Sequence, residues 1–295
     1  MSFEVYISNN VRKQKQFAKY IPFCSDMSLL PSCTFTVYEK DRDESVFSHR
    51  DLLFCNISDF PTSYAFSEAG YCGMPWRDGV LIQCDFAQAT GLLPFGLSFV
   101  HGDYCNVDLI ARTDKLGTYG VYNLLLSSYQ FVAANAGALL SHSAAVIYNG
   151  EAILFCGVSG AGKSTQASSW IKYYGAKPIN YDHPCIIWRN NMPIACGTPW
   201  GGKEGFCMPV SAPIKAIVFV QKSAASNVYE LPKGEAFCHL LLSNSLPHLR
   251  PEMDEKLMLI VERLVECVPI YYQECTLGKE TPDELYRILY GKTKW

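Results

Sequence analysis

The pattern of hydrophobic and polar positions divides the chain into two stretches of different character. Up to about residue 115, short segments rich in β-branched and aromatic residues are broken by Gly, Pro, Asp and Asn, which predicts strands and turns. Such strands are predicted at 34–38, 80–84 and 97–100. Apolar residues then recur at helical spacing over 119–135, and Gly137 follows as a stop, so we predict a helix there.

Beyond about residue 138, the predicted strands and helices alternate. Strands at 143–148 and 152–156 flank the hairpin dipeptide Asn149-Gly150, and a helix over 163–174 ends at Gly175. Further strands are predicted at 178–181, 185–188, 193–196, 214–221 and 270–274, and further helices at 235–243, 252–266 and 282–290. Thr281 is expected to cap the last helix and Pro282 to open it. We therefore expect an α/β protein in which a smaller, β-rich domain, residues 1–130, precedes a domain with a mixed sheet, residues 131–295.

The composition excludes several classes of protein. The 295 residues are 49% hydrophobic and 18% charged, which is typical of a globular protein with a core. A net charge of −3 and the lack of a Lys/Arg run argue against nucleic-acid binding. We expect no membrane segment, because no apolar stretch is long enough to span a bilayer. The first ten residues lack a basic region followed by an apolar core, so we expect no signal peptide and a cytoplasmic protein.

The 13 cysteines point to free thiols rather than to a disulfide framework or a zinc site. Their number is odd, and they show neither a C-x-x-C pair nor a zinc-like spacing. Most lie in apolar runs, as Cys156 and Cys238 do. We therefore predict reduced, buried cysteines.

One glycine-rich segment carries the clearest chemistry. Residues 157–165, here called the glycine loop, read G-V-S-G-A-G-K-S-T and match the phosphate-binding (Walker A, or P-loop) pattern G-x-x-x-x-G-K-[ST]. A strand is predicted before the loop and a helix after it, as that pattern requires. The predicted nucleotide-binding residues are Gly157, Ser159, Gly160, Ala161, Gly162, Lys163, Ser164 and Thr165. The alternative is a glycine-rich strand–helix turn of structural use alone.

The predicted roles within the glycine loop follow from phosphate chemistry. Glycines let the backbone turn its N–H groups toward the phosphates, and the positive end of the following helix points at the same anion. Lys163 supplies a mobile positive charge for the terminal phosphates, and Ser164 supplies a hydroxyl ligand for Mg²⁺. We therefore expect ATP and Mg²⁺ to bind here.

Titratable residues on both sides of the glycine loop are candidates for catalysis. Asp182 follows a predicted strand and could hold the metal or take the proton of an attacking hydroxyl; alternatively it caps an Asx-type turn. His142, at the start of the strand hairpin, could act near the terminal phosphate or be structural. Lys203 and Glu204 lie in a Gly-rich segment, where a solvated loop is the alternative, and Arg250 is a further candidate for a phosphate contact.

These residues give the chain a family resemblance. The chain resembles the HPr kinase/phosphorylase group of the phosphoenolpyruvate carboxykinase-like superfamily. The residues that carry this resemblance are His142, the glycine loop, Y-D-H-P at 181–184 and G-T-P-W-G-G-K-E at 197–204. The likeness is greatest to smaller kinase-like members that lack the HPr-specific C-terminal signature, and it covers roughly residues 138 to 221. It implies a P-loop kinase domain of that type, which phosphorylates a serine. It also implies that His142, Lys163 and Asp182 are catalytic and that Ser164 and Asp182 hold the metal.

The chain departs from that pattern at one position. Members of the group often have two adjacent Asp residues where this chain has Tyr181-Asp182. A single carboxylate must therefore serve both the metal and the acceptor hydroxyl, or another must help, and Glu204 is a candidate helper.

The function expected from the sequence is Mg²⁺-dependent transfer of the γ-phosphoryl group of ATP to a hydroxyl, a Ser of a protein or peptide. Two alternatives stay open. One is a kinase for a small molecule such as free serine. The other is a nucleotide-binding regulatory or scaffold protein whose catalysis is impaired by the missing Asp. The acceptor's identity is left open, as is whether the protein forms a homo-oligomer.

Overall fold

The computed structural model describes residues 3–7, 33–40, 65–66, 71–84, 96–112, 115–202, 205–244 and 249–291. The chain forms two compact units. The first comprises Met1–Ala136 and Leu246–Asp254, and the second comprises Gly137–Ser245 and Glu255–Trp295. The boundary in the structure thus lies between residues 136 and 137, whereas the sequence pattern places it between residues 130 and 131.

Among the described residues, a seven-stranded sheet and one helix form the first unit. The strand order is β1-β2-β7-β6-β5-β4-β3. Its strands are β1 (Phe3–Ile7), β2 (Cys33–Lys40), β3 (Ala65–Phe66), β4 (Tyr71–Trp76), β5 (Gly79–Cys84), β6 (Gly96–Val100) and β7 (Asn106–Arg112). The pairs β1–β2 and β2–β7 are parallel and the other pairs are antiparallel. Helix α1 (Lys115–Asn135) packs against β5, β6 and β7, with Leu124 and Phe131 fully buried.

The second unit contains a mixed nine-stranded sheet. Its strands are β8 (Leu139–Leu140), β9 (Ser143–Tyr148), β10 (Glu151–Cys156), β11 (Lys177–Asn180), β12 (Cys185–Arg189), β13 (Met192–Cys196), β14 (Ser211–Lys222), β15 (Asn227–Glu230) and β16 (Ile270–Cys275). The order is β11-β9-β10-β14-β13-β12-β8, and β16 pairs with both β14 and β15. β10 and β16 run parallel to β14, while the remaining pairs are antiparallel. The fold is therefore mixed α/β.

In the described ranges after residue 135, four helices follow α1. They are α2 (Lys163–Tyr174), α3 (Lys233–Ser243), α4 (Pro251–Cys267) and α5 (Glu280–Tyr290). The predicted start of α5 is wrong: the helix begins at Glu280, with Lys279 at the N-cap position, so Thr281 lies inside its first turn. The Thr281 hydroxyl instead accepts a hydrogen bond from the N–H of Thr276 at 3.0 Å, before the helix. None of the helices in the described part of the chain combines the length and apolarity of a membrane span.

An aromatic cluster fixes α2 against the sheet. Trp170 of α2 is fully buried, and its ring lies near those of Tyr148 on β9 and of Tyr174, Tyr286 and Tyr290. Such aromatic pairs contribute about 0.5–1.5 kcal/mol each beyond the area that they bury. Because α2 begins at Lys163, this packing also fixes the end of the glycine loop.

The prediction that the cysteines are buried is only partly correct. The cysteines that the structure describes are free, and Cys156, Cys185 and Cys275 are buried. Cys238 and Cys267, however, are exposed. The apolar run around Cys238 makes about two turns of the amphipathic helix α3, whose buried side carries Ala236 and Leu240. Two residues along a helix turn the side chain to the opposite face, so Cys238 points to solvent.

Candidate functional site

The glycine loop leaves the middle of the second sheet. β10 lies between β9 and β14, and the loop joins its end at Cys156 to the first residue of α2, Lys163. Its glycines at positions 157, 160 and 162 have φ angles of 145°, 79° and 109°. Residues with a Cβ rarely adopt such angles, so the glycines of the sequence pattern stand where the backbone needs them. The N–H of Gln166 donates to the carbonyl of Gly162 at 2.9 Å and starts the helical hydrogen bonding.

Lys163 folds back over the glycine loop. The residue is only 8% exposed, and its Nζ donates to the carbonyl of Gly157 at 2.9 Å and to that of Val158 at 3.4 Å. Burial lowers the pKa of Lys163, while Asp182 and Cys156 act to raise it. The ammonium group and the N-terminus of α2 therefore place positive charge at the same loop, which suits an anion.

The other predicted loop residues lie around this charge. Ser164 is half-buried in the first turn of α2, whereas Ser159, Gly160 and Thr165 are exposed. Ala161 is buried in the core of the second unit, and its N–H donates to the Val158 carbonyl at 3.1 Å. Of the hydroxyl groups in the glycine loop, that of Ser164 belongs to the residue directly after Lys163.

A second turn, residues 180–183 and here called the Asp182 turn, follows β11. Asn180, the last residue of β11, is fully buried. Its Oδ1 accepts hydrogen bonds from the backbone N–H groups of Asp182 and His183, both at 2.8 Å. The Asx-type turn considered for Asp182 is therefore made by Asn180. The carboxylate of Asp182 has a different set of neighbours.

Two histidines flank that carboxylate. The Nε2 of His142 lies 3.6 Å from Oδ1 of Asp182, and the Nε2 of His183 lies 3.5 Å from Oδ2. The two imidazole rings stack with their centroids 5.4 Å apart. His142 precedes β9, where Ser143 pairs with Cys156, so it stands beside the end of β10 from which the glycine loop departs.

The pKa values of these groups reflect burial next to Lys163. Burial, with the charges of Lys163 and His183, lowers the pKa of His142 to about 4, although Asp182 acts to raise it. Burial and Lys163 lower the pKa of His183 to about 4. Burial raises the pKa of Asp182, against the opposing effects of His142 and Lys163. Both imidazoles are therefore neutral near pH 7.

The Gly-rich segment at 197–204 reaches the same carboxylate. Gly202 has a φ of +67°, and a Cβ there would lie 2.9 Å from the Cβ of Asp182 and 3.0 Å from its Oδ2. A glycine is needed both for the backbone angle and for this close approach. Lys203 and Glu204, the candidate phosphate and helper groups, lie outside the described residues.

Tyr181 stands where the resembling group often has a first Asp. It belongs to the buried core of the second unit, and its ring centroid lies 4.9 Å from that of Phe206. Its hydroxyl is 3.3 Å from the Oγ of Ser168 on α2. The position is thus used for packing between β11 and α2.

Sequence reasoning missed some residues of this site and misjudged another. It assigned no role to His183, although its place directly after Asp182 was a signal, and it did not single out Asn180. Arg250, considered for a phosphate contact, instead donates to the backbone carbonyls of Gly79 at 2.7 Å and Arg77 at 2.6 Å, all within the first unit.

Comparison with known proteins adds one distant similarity. No protein-family model matches the chain, and no curated protein matches it. Among solved structures, the HPr(Ser) kinase/phosphatase from Coxiella burnetii is similar at a TM-score of 0.29 and 12% sequence identity, over 50% of this chain and 86% of that chain. So distant a structural likeness carries no inference about activity.

Proposed function

We propose that this protein transfers the γ-phosphoryl group of ATP to a hydroxyl, with a serine of a protein or peptide as the acceptor. The observation that carries the proposal is the proximity of two charged groups from separate segments. The carbonyl of Asp182 accepts a hydrogen bond from the N–H of Ser143 at 2.9 Å, and Ser143 pairs with Cys156, the residue directly before the glycine loop that carries Lys163. Phosphoryl transfer requires this combination, a cationic phosphate cradle beside a carboxylate.

The glycine loop would bind the triphosphate. Its backbone N–H groups, the N-terminus of α2 and the Lys163 ammonium all favour the negative charge of phosphate. Ser164 and Asp182 would hold Mg²⁺, which neutralises charge on the phosphate oxygens. Few protein ligands suit this ion, since Mg²⁺ usually binds one or two carboxylates and completes its shell with water and substrate phosphates. Among the described residues, no cluster of three or more His, Cys, Asp or Glu could hold a metal.

Asp182 would act on the acceptor. The oxygen of the acceptor hydroxyl would bond to the γ-phosphorus, and its proton would pass to the Asp182 carboxylate. At the same time, the bond between the γ-phosphorus and the bridging oxygen would break, and ADP would leave. The neutral imidazoles on its two sides orient it without neutralising its charge.

One observation favours a second candidate function. Residue 181 is a tyrosine packed into the core, so Asp182 lacks the adjacent carboxylate that members of the resembling group often have. A protein that binds ATP in the glycine loop but transfers no phosphate would fit this loss, and it would serve as a nucleotide-dependent regulator or scaffold.

The test is a labelling experiment with γ-labelled ATP, Mg²⁺, the purified protein and a lysate of its source cells. Wild type, Lys163→Ala and Asp182→Asn are compared side by side. Label on a discrete polypeptide with wild type alone supports the proposal and identifies the acceptor. Label in a small metabolite would replace the protein acceptor with a small-molecule one. ATP binding without labelling or phosphate release above the variants would overturn phosphoryl transfer in favour of the regulator.

A further inference from the structure

We propose that Asn180 and Thr198, here called the clamp, are positioning residues that hold Asp182 in its working place beside the glycine loop. The inference rests on the proposed phosphoryl transfer and adds residues to it that touch neither phosphate nor acceptor. Their side chains form a buried polar network that joins the Asp182 turn to the segment that follows β13.

Both the oxygen and the nitrogen of the Asn180 side-chain amide make hydrogen bonds. Its Oδ1 accepts from the N–H groups of Asp182 and His183, and its Nδ2 donates to the carbonyl of Thr198 at 2.9 Å and to the Thr198 Oγ1 at 3.1 Å. The residue is fully buried, so the partners of this amide are protein atoms. An amide with donors and acceptors both engaged fixes the two segments relative to each other.

Thr198 closes the network from the other segment. It is 4% exposed, and its Oγ1 donates to the carbonyl of His183 at 2.5 Å. The same oxygen accepts from the N–H of Trp200 at 3.3 Å. The hydroxyl is thus bonded to the far end of the Asp182 turn, while Asn180 holds the near end.

The clamp acts on the Asp182 carboxylate from two directions. On one side, Asn180 and Thr198 fix the backbone of residues 182 and 183. On the other, the segment continues to Gly202, which lies against the carboxyl group of Asp182. The hydrogen bond from the N–H of His183 to the carbonyl of Trp200, at 3.2 Å, ties the two paths together. A shift in this network would move the carboxylate.

If the clamp positions Asp182, its loss should affect phosphoryl transfer and ATP binding differently than if the clamp only stabilises the fold. The hydrogen bonds of the clamp side chains run to residues 180, 182, 183, 198 and 200, and none of these belongs to the glycine loop. Loss of the clamp should therefore reduce transfer while ATP binding is kept. If the clamp only stabilised the fold, folded fraction, ATP binding and transfer would fall together.

The experiment compares Thr198→Val, which removes only the hydroxyl, with Thr198→Ser, which keeps it. We expect Thr198→Val to lower kcat about tenfold to a hundredfold, because small displacements of a reacting group cost rate on that scale. We expect its Kd for ATP measured without Mg²⁺ to stay within about twofold of wild type, because the glycine loop is unchanged, and we expect Thr198→Ser to recover most of kcat. Circular dichroism and Tm report whether each variant is folded, and Thr198→Ala serves as a second test if Thr198→Val is not.

The outcomes separate this inference from the proposed function. Equal kcat for Thr198→Val and wild type, no rescue by Thr198→Ser, or a parallel loss of ATP-binding stoichiometry overturns the clamp. If wild type transfers nothing, the proposed function fails, and the clamp is then judged by ATP affinity with and without Mg²⁺. Thr198→Val should lose most of the gain in affinity that Mg²⁺ gives wild type, since Asp182 would be out of place. An unchanged gain overturns the clamp.

Discussion

The glycine loop and the Asp182 turn lie at one site but are built in different ways. The glycine loop takes its shape from a single run, residues 157–165, whose own glycines and Lys163 set its backbone and charge. The Asp182 turn depends on its own Asn180 and also on separate segments, which contribute His142 ahead of β9 and Thr198 and Gly202 beyond β13. The difference teaches that the proposed phosphate-binding loop is specified locally, whereas the carboxylate proposed to act beside it is positioned by contacts between distant segments.

The largest expected effect comes from Asp182→Asn, which removes the negative charge and the base but keeps the shape of the side chain. Transfer should fall about 10²–10⁴-fold, the usual contribution of a general base, while the Kd for ATP measured without Mg²⁺ stays within a few-fold of wild type. Steady-state kinetics and calorimetry measure the two quantities. Glu262→Gln, on the exposed side of α4, is the control for loss of one negative charge. If Asp182→Asn also abolished ATP binding, the two loops would not have separable functions.

Lys163→Ala should impair both phosphoryl transfer and ATP binding. Transfer is expected to fall about 10²–10³-fold, as it does when a donor to developing negative charge is removed. The Kd for ATP should rise as well, because the ammonium serves bound phosphate and not the transition state alone. Lys172→Ala, on the same helix but exposed, should behave as wild type in both assays. Normal ATP affinity in Lys163→Ala would mean that the backbone of the loop binds phosphate unaided.

Gly202→Ala should have a smaller effect, confined to the Asp182 turn. Gly202 and Gly205 have φ angles of +67° and +70°, so alanine costs about 1–2 kcal/mol of backbone strain at either position. A Cβ at Gly202 would meet Asp182, whereas one at Gly205 would meet open space. Transfer by Gly202→Ala should therefore fall about tenfold below that of Gly205→Ala, at equal ATP affinity. Equal transfer by the two variants would show that the contact with Asp182 has no part in catalysis.

Much of the framework around the site is predictable because its signals are local. The hairpin between β9 and β10 was predicted from Asn149-Gly150, and these residues have the positive φ angles, 50° and 81°, that such a turn requires. Gly175 ends α2 in the left-handed conformation, as predicted. In each case one or two adjacent residues determine the backbone, so no knowledge of distant contacts is needed.

The parts of the site that were not predictable from the sequence depend on contacts between distant segments. Thr198 is a small polar residue in a Gly/Pro-rich stretch, and nothing near it in the sequence indicates a hydrogen bond to His183. Arg250 has the charge of a phosphate ligand, but the backbone of the first unit engages it. Cys238 shows a subtler failure, because an apolar run does not reveal which of its members faces solvent once the run is helical.

The smallest expected effect on transfer is that of Tyr181→Phe. This substitution tests whether the tyrosine that stands in place of an Asp has a chemical role. The hydroxyl contacts Ser168, and the ring is buried in the core. Its removal should lower the free energy of unfolding by about 0.5–1.5 kcal/mol, the net contribution of one hydrogen bond, and leave kcat within about twofold. Urea denaturation and the transfer assay measure these quantities. Tyr229→Phe, at an exposed tyrosine, should change the free energy of unfolding by less than about 0.5 kcal/mol. A stable Tyr181→Phe protein with tenfold slower transfer would contradict the packing role, because a phenol would then be doing part of the work of the missing carboxylate.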